Sequence, residues 1–304
     1  MPFEVRGCPN CGRSDPASDS EISSIPRAED LSFTELKDYW RGFRKQNVHF
    51  SYVRCSSCLL LFCPIYFSSE QLHHLYEAMD DNTNGESLEV LNHTQNSYVN
   101  ELTRRVTLKG DVLELGGDIG LLTAQLLKFP EVRSVTVIEP NIETHAALTR
   151  IIGDRGRVVA NWSEIDSGKR FDAIVGVHVL DHLLDLKSDL SKMVNRLSTT
   201  GFLFFVTHDE GSLLRKVLRN KWPPYCLQHP QIFNTLSIKN ALNPRGYNQI
   251  DVFKTTNVFT LRHIIELASK IFGLPAFVAK LFPNLAIRIR LGNIATLAYK
   301  KDLL

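Results

Sequence analysis

Two Cys-x-x-Cys pairs open the chain, Cys8-Pro-Asn-Cys11 and Cys55-Ser-Ser-Cys58. Each such turn presents two sulfurs to one ion. Two turns complete a closed four-thiolate site of the kind that holds structural zinc, with no coordination position left for a reactive water. Gly12 lets the first knuckle turn back sharply. The 43 residues between Cys11 and Cys55 exceed what a minimal ribbon needs, so an insertion is expected there, carrying the helical pattern of residues 31–43. Cys63 follows the apolar run Leu59–Phe62 and is expected to be a buried thiol, and Cys226 has no partner in sequence. Unrelated surface cysteines or a redox pair are the competing explanation, which two separate pairs disfavour.

A second chemistry lies in Glu114-Leu-Gly116-Gly117-Asp118-Ile-Gly120, which joins the apolar strand Val112–Leu115 to a helix. Glycines there allow a ligand close to the backbone, and free N–H groups at the helix start favour an anionic group. The spacing does not fit the G-x-G-x-x-G turn of dinucleotide folds, and the Gly-Lys-Ser/Thr of phosphate loops is absent. NAD is therefore disfavoured. Glu139 ends the next strand, 23 residues after Gly116, where an acid can accept both hydroxyls of a ribose. A helix-capping acid is the alternative.

The elements that must position these residues alternate. Strands are expected at 112–115, 134–138, 157–160, 171–177 and 202–207. Helices are expected near 119–128, 141–152, 186–197 and 211–219, which is the pattern of a parallel α/β sheet. Two further strands are expected at 249–254 and 294–299. Ahead of them lie a cysteine-punctuated segment, a helix at 68–79 and a polar linker at 80–85, which divides the chain into 1–80 and 86–304.

Read together, these motifs resemble class I S-adenosylmethionine-dependent methyltransferases over residues 86–304. Val112–Gly120 resembles that family's first motif, Val137-Ile-Glu139 its acidic ribose-binding strand end, and Phe171–Leu183 its fourth strand and turn. Leu197–Val206 matches the glycine and fifth strand. Ala160-Asn161-Trp162 stands where the family usually has an aspartate near the adenine, and Asp118 where it usually has glycine. Asp tolerates left-handed geometry better than most residues, so Asp118 can support the turn, and it could contact the methionine ammonium. Residues 53–76 resemble the zinc-binding module that precedes the methyltransferase domain in bacterial sugar-modifying and natural-product enzymes. The resemblance implies a Rossmann-like, seven-stranded α/β sheet with a small N-terminal zinc-ribbon-like module. It implies S-adenosylmethionine held by Glu114, Gly116, Gly117, Asp118, Gly120, Glu139, Asn161, Trp162 and His178, and zinc held by Cys8, Cys11, Cys55 and Cys58.

Methyl transfer from a sulfonium is an in-line displacement that needs alignment, exclusion of water and, for a protonated acceptor, a base. Open α/β sheets bind ligands at the carboxyl ends of their strands. His208, which ends the fifth strand, is the first candidate base, and His182 is the reserve. His178 is read as a wall of the cofactor pocket, and Trp222, Tyr225 and His229 as a loop over the acceptor, packing of the loop itself being the alternative.

Composition narrows the partners. The 304 residues carry a net charge of +2, which gives no global field for nucleic acid, and the cysteine module lacks a basic, aromatic-interleaved stripe. From Leu261 onward the charge is about +5 and the rest about −3. The apolar and basic stretch 261–290 is expected to form amphipathic helices packed on the sheet edge, a membrane-surface contact being the alternative. The start of the chain has no apolar h-region and no run of 18 apolar residues occurs, so a cytoplasmic enzyme is expected. The acceptor is expected to be a small hydroxylated molecule, a sugar or glycan precursor. A scaffold that uses the zinc module for recruitment and a nucleic-acid methyltransferase are the alternatives.

Overall fold

A computed structural model describes residues 2–14, 20–40, 48–77, 87–275 and 277–300. The expected linker at 80–85 lies outside these residues, as does the 41–43 end of the expected N-terminal helix. The N-terminal segment contributes β1 (Glu4–Val5), α1 (Phe33–Lys37), β2 (Val53–Arg54), β3 (Leu61–Phe62), β4 (Ile65–Tyr66) and α2 (Ser69–Glu77). Ser32 and Glu35 close a capping box on α1, which is why so short a helix starts where it does.

The remainder alternates as the sequence suggests. It runs α3 (Leu88–Thr103), β5 (Gly110–Leu115), α4 (Leu121–Leu126), β6 (Val132–Ile138), α5 (His145–Ile152), β7 (Gly156–Val159), β8 (Phe171–Val177), α6 (Leu186–Arg196) and β9 (Leu197–His208). Then come α7 (Leu213–Leu218), β10 (Gln231–Ile232), α8 (Thr235–Leu242), β11 (Tyr247–Lys254), β12 (Asn257–Thr260), α9 (Leu261–Phe272), α10 (Phe277–Lys280), β13 (Ala286–Ile289) and β14 (Asn293–Lys300). Seven strands form one sheet in the order β11-β14-β9-β8-β5-β6-β7. β5 to β9 are parallel, and β14 runs antiparallel to both neighbours. This is the expected seven-stranded Rossmann-like sheet.

The central strands read as predominantly apolar runs because both sheet faces are covered. Alternate residues go to opposite cores. On β9, Phe202, Phe204 and Val206 pack with α3, α4 and α5 residues such as Leu102, Leu126 and Leu148. Leu203 and Phe205 point the other way, into a core shared with Leu190 of α6 and Ile238 of α8.

That second core also takes in Cys8, Cys55, Cys58, Leu60 and Phe62, so the cysteine module is built onto the sheet. β3 pairs with β10, which belongs to the second half of the chain. Arg54 makes a two-pronged ion pair with the buried Glu210 at 2.6 and 2.9 Å. An uncompensated Glu210 would be costly at that depth, so the pair holds the two segments in one register.

β12 and β13 form a separate antiparallel ribbon that carries α9 and α10 at its tip. The sequence reading has no strands there and expects the helices on the sheet edge. Instead α9 rests on the ribbon strand β12, and β12 packs on α3. Among the described residues no helix is long and apolar enough to cross a membrane.

Candidate active site

The turn after β5 shows how each residue of the motif is used. Gly116 has φ +71° and Gly120, the N-cap of α4, has φ +82°; both conformations favour glycine. Gly117 has another reason. A Cβ there would lie 2.4 Å from Val137 Cγ1, and one at Gly120 would lie 2.5 Å from Ile151 Cδ1. These two glycines therefore let the strand, the turn and α5 pack closely, a need within the protein itself. Asp118 stands in the left-handed region at φ +45°, so it does adopt the geometry of the glycine it replaces.

Glu139, at the end of β6, is nearly buried. One carboxylate oxygen accepts from the backbone N–H of Asp118 and the other from that of Asn141, both at 2.8 Å. Each oxygen keeps a lone pair for a further donor. Glu114 is fully buried, and burial pushes its carboxyl up to about 8 against the Thr123 hydroxyl that donates to Oε2. Its Oε1 has no partner among the described residues. A buried carboxyl with one unpartnered oxygen below a glycine turn, beside a second acid with spare lone pairs, fits a polar ligand that brings hydroxyl and ammonium groups. Asn161 caps the short turn after β7: its carbonyl accepts from Ser163 N and its amide donates to Glu164. Trp162 beside it packs on the core.

The sequence-derived base candidates meet in one partly buried array. His178, held at φ +55°, stacks on His208 with ring centroids 4.2 Å apart. His208 approaches His229 at 4.9 Å, and His182 approaches His229 at 4.7 Å. The structure thus places His178 in the histidine array, although Val179 next to it also faces Gly116. Asp181, fully buried, accepts from the His208 backbone N–H at 3.1 Å and leaves Oδ1 without a partner among the described residues. Asn293 bridges the stacked rings, with Oδ1 3.1 Å from His208 Nδ1 and Nδ2 3.2 Å from His178 Nε2. A proton on His208 Nδ1 donates to that oxygen, which leaves Nε2 with its lone pair.

The nitrogens of His178 and His208 and an oxygen of Asp181 lie within 4.8 Å of one another. The two rings, however, are only 24° from parallel. An ion in the plane of one ring would lie out of the plane of the other, so the stacked rings, joined through Asn293, do not present a shared ligand geometry.

Burial, together with the neighbouring imidazoles, holds His182 and His208 well below 6.5. Both are neutral at physiological pH and can take a proton. Burial would lower His229 as well, but Cys226, 3.4 Å away, and Asp181 raise it to about 9. The array therefore sets neutral imidazoles beside a His229 whose charged form is favoured by its pairing with the Cys226 sulfur.

Asp181 and Asn293 are the participants that sequence reasoning missed. Asp181 lies inside the motif but was given no role. Asn293 reaches His208 because antiparallel β14 pairs the two positions, a register with no local signal.

The four expected metal ligands also converge. Their sulfurs lie within 4.8 Å of one another, with Cys8 and Cys58 3.4 Å apart and Cys11 and Cys55 3.5 Å apart. A tetrahedral zinc with Zn–S near 2.3 Å sets its sulfurs about 3.8 Å apart, so the donor set fits that ion. The knuckles match as well. Gly12 follows the first pair at φ +79° and Leu59 follows the second at φ +62°. Cys63 is fully buried beside Phe50 and apart from the quartet.

The module grips the loop that carries His229. Tyr52 donates to His229 O and Tyr66 to Leu227 O, both at 2.6 Å. Arg6 reaches Pro230 O at 2.9 Å.

Comparison with known proteins bears on this arrangement. The model of the methyltransferase-domain family matches residues 88–252. No curated protein matches the chain. Among solved structures, the chain is similar to one from the complex of the Haloferax volcanii Trm112 methyltransferase activator with a methyltransferase. That match has a TM-score of 0.52 and 9% identity, and covers 71% of this chain and 93% of that one. YcgJ from Bacillus subtilis gives a TM-score of 0.49 at 13% identity, covering 69% of this chain and 99% of that one. The Burkholderia thailandensis 1,6-didemethyltoxoflavin-N1-methyltransferase gives 0.46 at 18% identity, covering 71% and 80%.

Proposed function

Since the chain belongs to the methyltransferase-domain family and is an S-adenosylmethionine-dependent enzyme, we propose that its acceptor is a small hydroxylated molecule, a sugar or glycan precursor. The observation that carries this reading is the partly buried array around His208, a neutral imidazole at the carboxyl end of β9 with Nε2 uncommitted. A hydroxyl must lose its proton as it attacks, and an imidazole that stays neutral at pH 7 can receive it. His182 is the reserve for the same role.

S-adenosylmethionine supplies a methyl group on a sulfonium. Glu139 would accept its ribose hydroxyls, Gly116, Gly117, Asp118 and Gly120 would line its path, and Asn161 and Trp162 would border the adenine. Glu114 Oε1 would find its donor there. His178 would stand between the cofactor turn and the base, and its ring would orient His208 through Asn293 and through stacking.

Zinc at Cys8, Cys11, Cys55 and Cys58 is the second part of the proposal. Its role would be structural, since the module holds the acceptor loop through Tyr52, Tyr66 and Arg6. This favours a buttress over a recruitment module, because the gripping residues Tyr52 and Tyr66 are buried in a core shared with Trp222, Tyr225 and Leu227 of that loop, while the cysteines pack on the sheet.

Calorimetric titration tests the cofactor part. S-adenosylmethionine should bind at about one per chain and NADH should not; NADH binding of comparable strength would overturn the assignment.

A further inference from the structure

The ribbon β12–β13 raises α9 and α10 away from the sheet. Its tip exposes Phe272, Leu274, Phe277, Leu281 and Leu285, each at least 52% accessible. Isolated exposed leucines are ordinary, but five large apolar side chains on one short projection are not. The surface continues onto α7, whose Leu213 and Val217 stand one turn apart and are 71% and 67% exposed. The two parts adjoin, since Lys221, just after α7, reaches Ile271 O at 3.5 Å.

Charge decides what this face meets. Lys216 lies between the apolar pair of α7, Arg219 and Lys221 follow it, and Lys270 and Lys280 flank the phenylalanines, all without an acid in either segment. Across residues 261–290 the sole acid is Glu266. Arg288 and Arg290 extend the positive surface from β13 into a groove of about 430 Å³, whose opposite wall carries the ion pair Arg104–Glu101. Protein–protein interfaces deplete lysine at their centre, whereas apolar side chains interspersed with Lys and Arg suit the headgroup boundary of an anionic bilayer.

We propose that the face formed by α7 and the α9–α10 tip docks on an anionic lipid bilayer surface. The aromatic and leucine side chains enter the headgroup–acyl boundary while the lysines and arginines stay among the phosphates. Among the described residues no helix is long and apolar enough to cross that bilayer. Trp222 and Tyr225 follow α7 directly, and Arg215 of α7 donates to the Tyr225 hydroxyl at 2.8 Å. The docked face therefore adjoins the loop of the base array. The proposal goes beyond the acceptor assignment and stands apart from it.

Co-sedimentation of the full chain with vesicles tests it. The protein should pellet with phosphatidylcholine–phosphatidylglycerol vesicles at low salt, and much less with phosphatidylcholine alone or at high salt. Phe272→Ser/Phe277→Ser/Leu281→Ser and, separately, Lys270→Glu/Lys280→Glu should each weaken binding roughly tenfold. Unchanged S-adenosylmethionine affinity would verify that both variants are folded. Failure to bind anionic vesicles at low salt would overturn the proposal, as would wild-type binding by both variants. A vesicle-independent dimer that the serine variant dissociates, with no vesicle binding, would assign the face to a second copy of the chain instead.

Discussion

The backbone N–H of Asp118 donates to Glu139 Oε2 at 2.8 Å, tying the glycine turn of β5 to the acid that ends β6. One carboxylate thus fixes the turn and keeps lone pairs for a ligand. Glu139→Ala should weaken S-adenosylmethionine binding by about 1–3 kcal/mol, through lost hydrogen bonds to ribose and a loosened turn. Calorimetry reads this directly. Unchanged affinity would mean that the ribose lies elsewhere.

The cysteine quartet predicts a separation of two properties. Cys55→Ser should lose one zinc per chain by elemental analysis, while Cys63→Ser should retain it. Because the module grips the 227–230 backbone and the glycine turn lies elsewhere, Cys55→Ser should keep most cofactor affinity and lose methyl transfer. Metal-free wild-type protein that still turns over at full rate would contradict the buttress role.

Leu59 occupies, at φ +62°, the knuckle position that Gly12 fills in the first pair. A left-handed non-glycine residue costs about 1–2 kcal/mol, partly offset by the greater chain entropy of glycine. Leu59→Gly should therefore be neutral to stabilising, by up to about 1 kcal/mol. Thermal unfolding of the zinc-loaded protein checks this, and a large loss of stability would show that the Leu59 side chain outweighs the strain.

The histidine array predicts a pH dependence with a definite sign. Burial holds His182 and His208 well below 6.5 in the folded chain. The unfolded chain takes up their protons as pH falls through about 6.5, so stability declines below that point. His229, raised to about 9, acts oppositely: its contribution is complete below about 6.5 and is lost as pH rises through about 9. Denaturation midpoints between pH 7 and pH 5 should fall less steeply in His182→Gln/His208→Gln than in the wild type. Parallel curves would contradict the buried, neutral assignment.

Much of this was legible in the sequence, because local physics wrote it there. The predominantly apolar runs of β5, β8 and β9 require a sheet covered on both faces, and the paired cysteines require each other. What escaped depends on distant register. Asn293 meets His208 across β9 and β14, and β10 joins β3 over 160 residues of chain. The β12–β13 ribbon consists of two four-residue strands separated by two helices, too short and too far apart to signal their pairing. Glycines 117 and 120 could be located in advance but their contacts could not, since Val137 and Ile151 come from elements that only the fold brings near.

The most direct test of the account is transfer of a labelled methyl group from S-adenosylmethionine to nucleotide sugars and cell-envelope extracts, measured for wild type, His208→Ala, His182→Ala and the double variant. Wild type should label a hydroxylated acceptor, and His208→Ala should cut turnover by about 10²-fold or more with cofactor affinity nearly unchanged. Full turnover in the double variant would contradict it and leave alignment alone as the source of the rate.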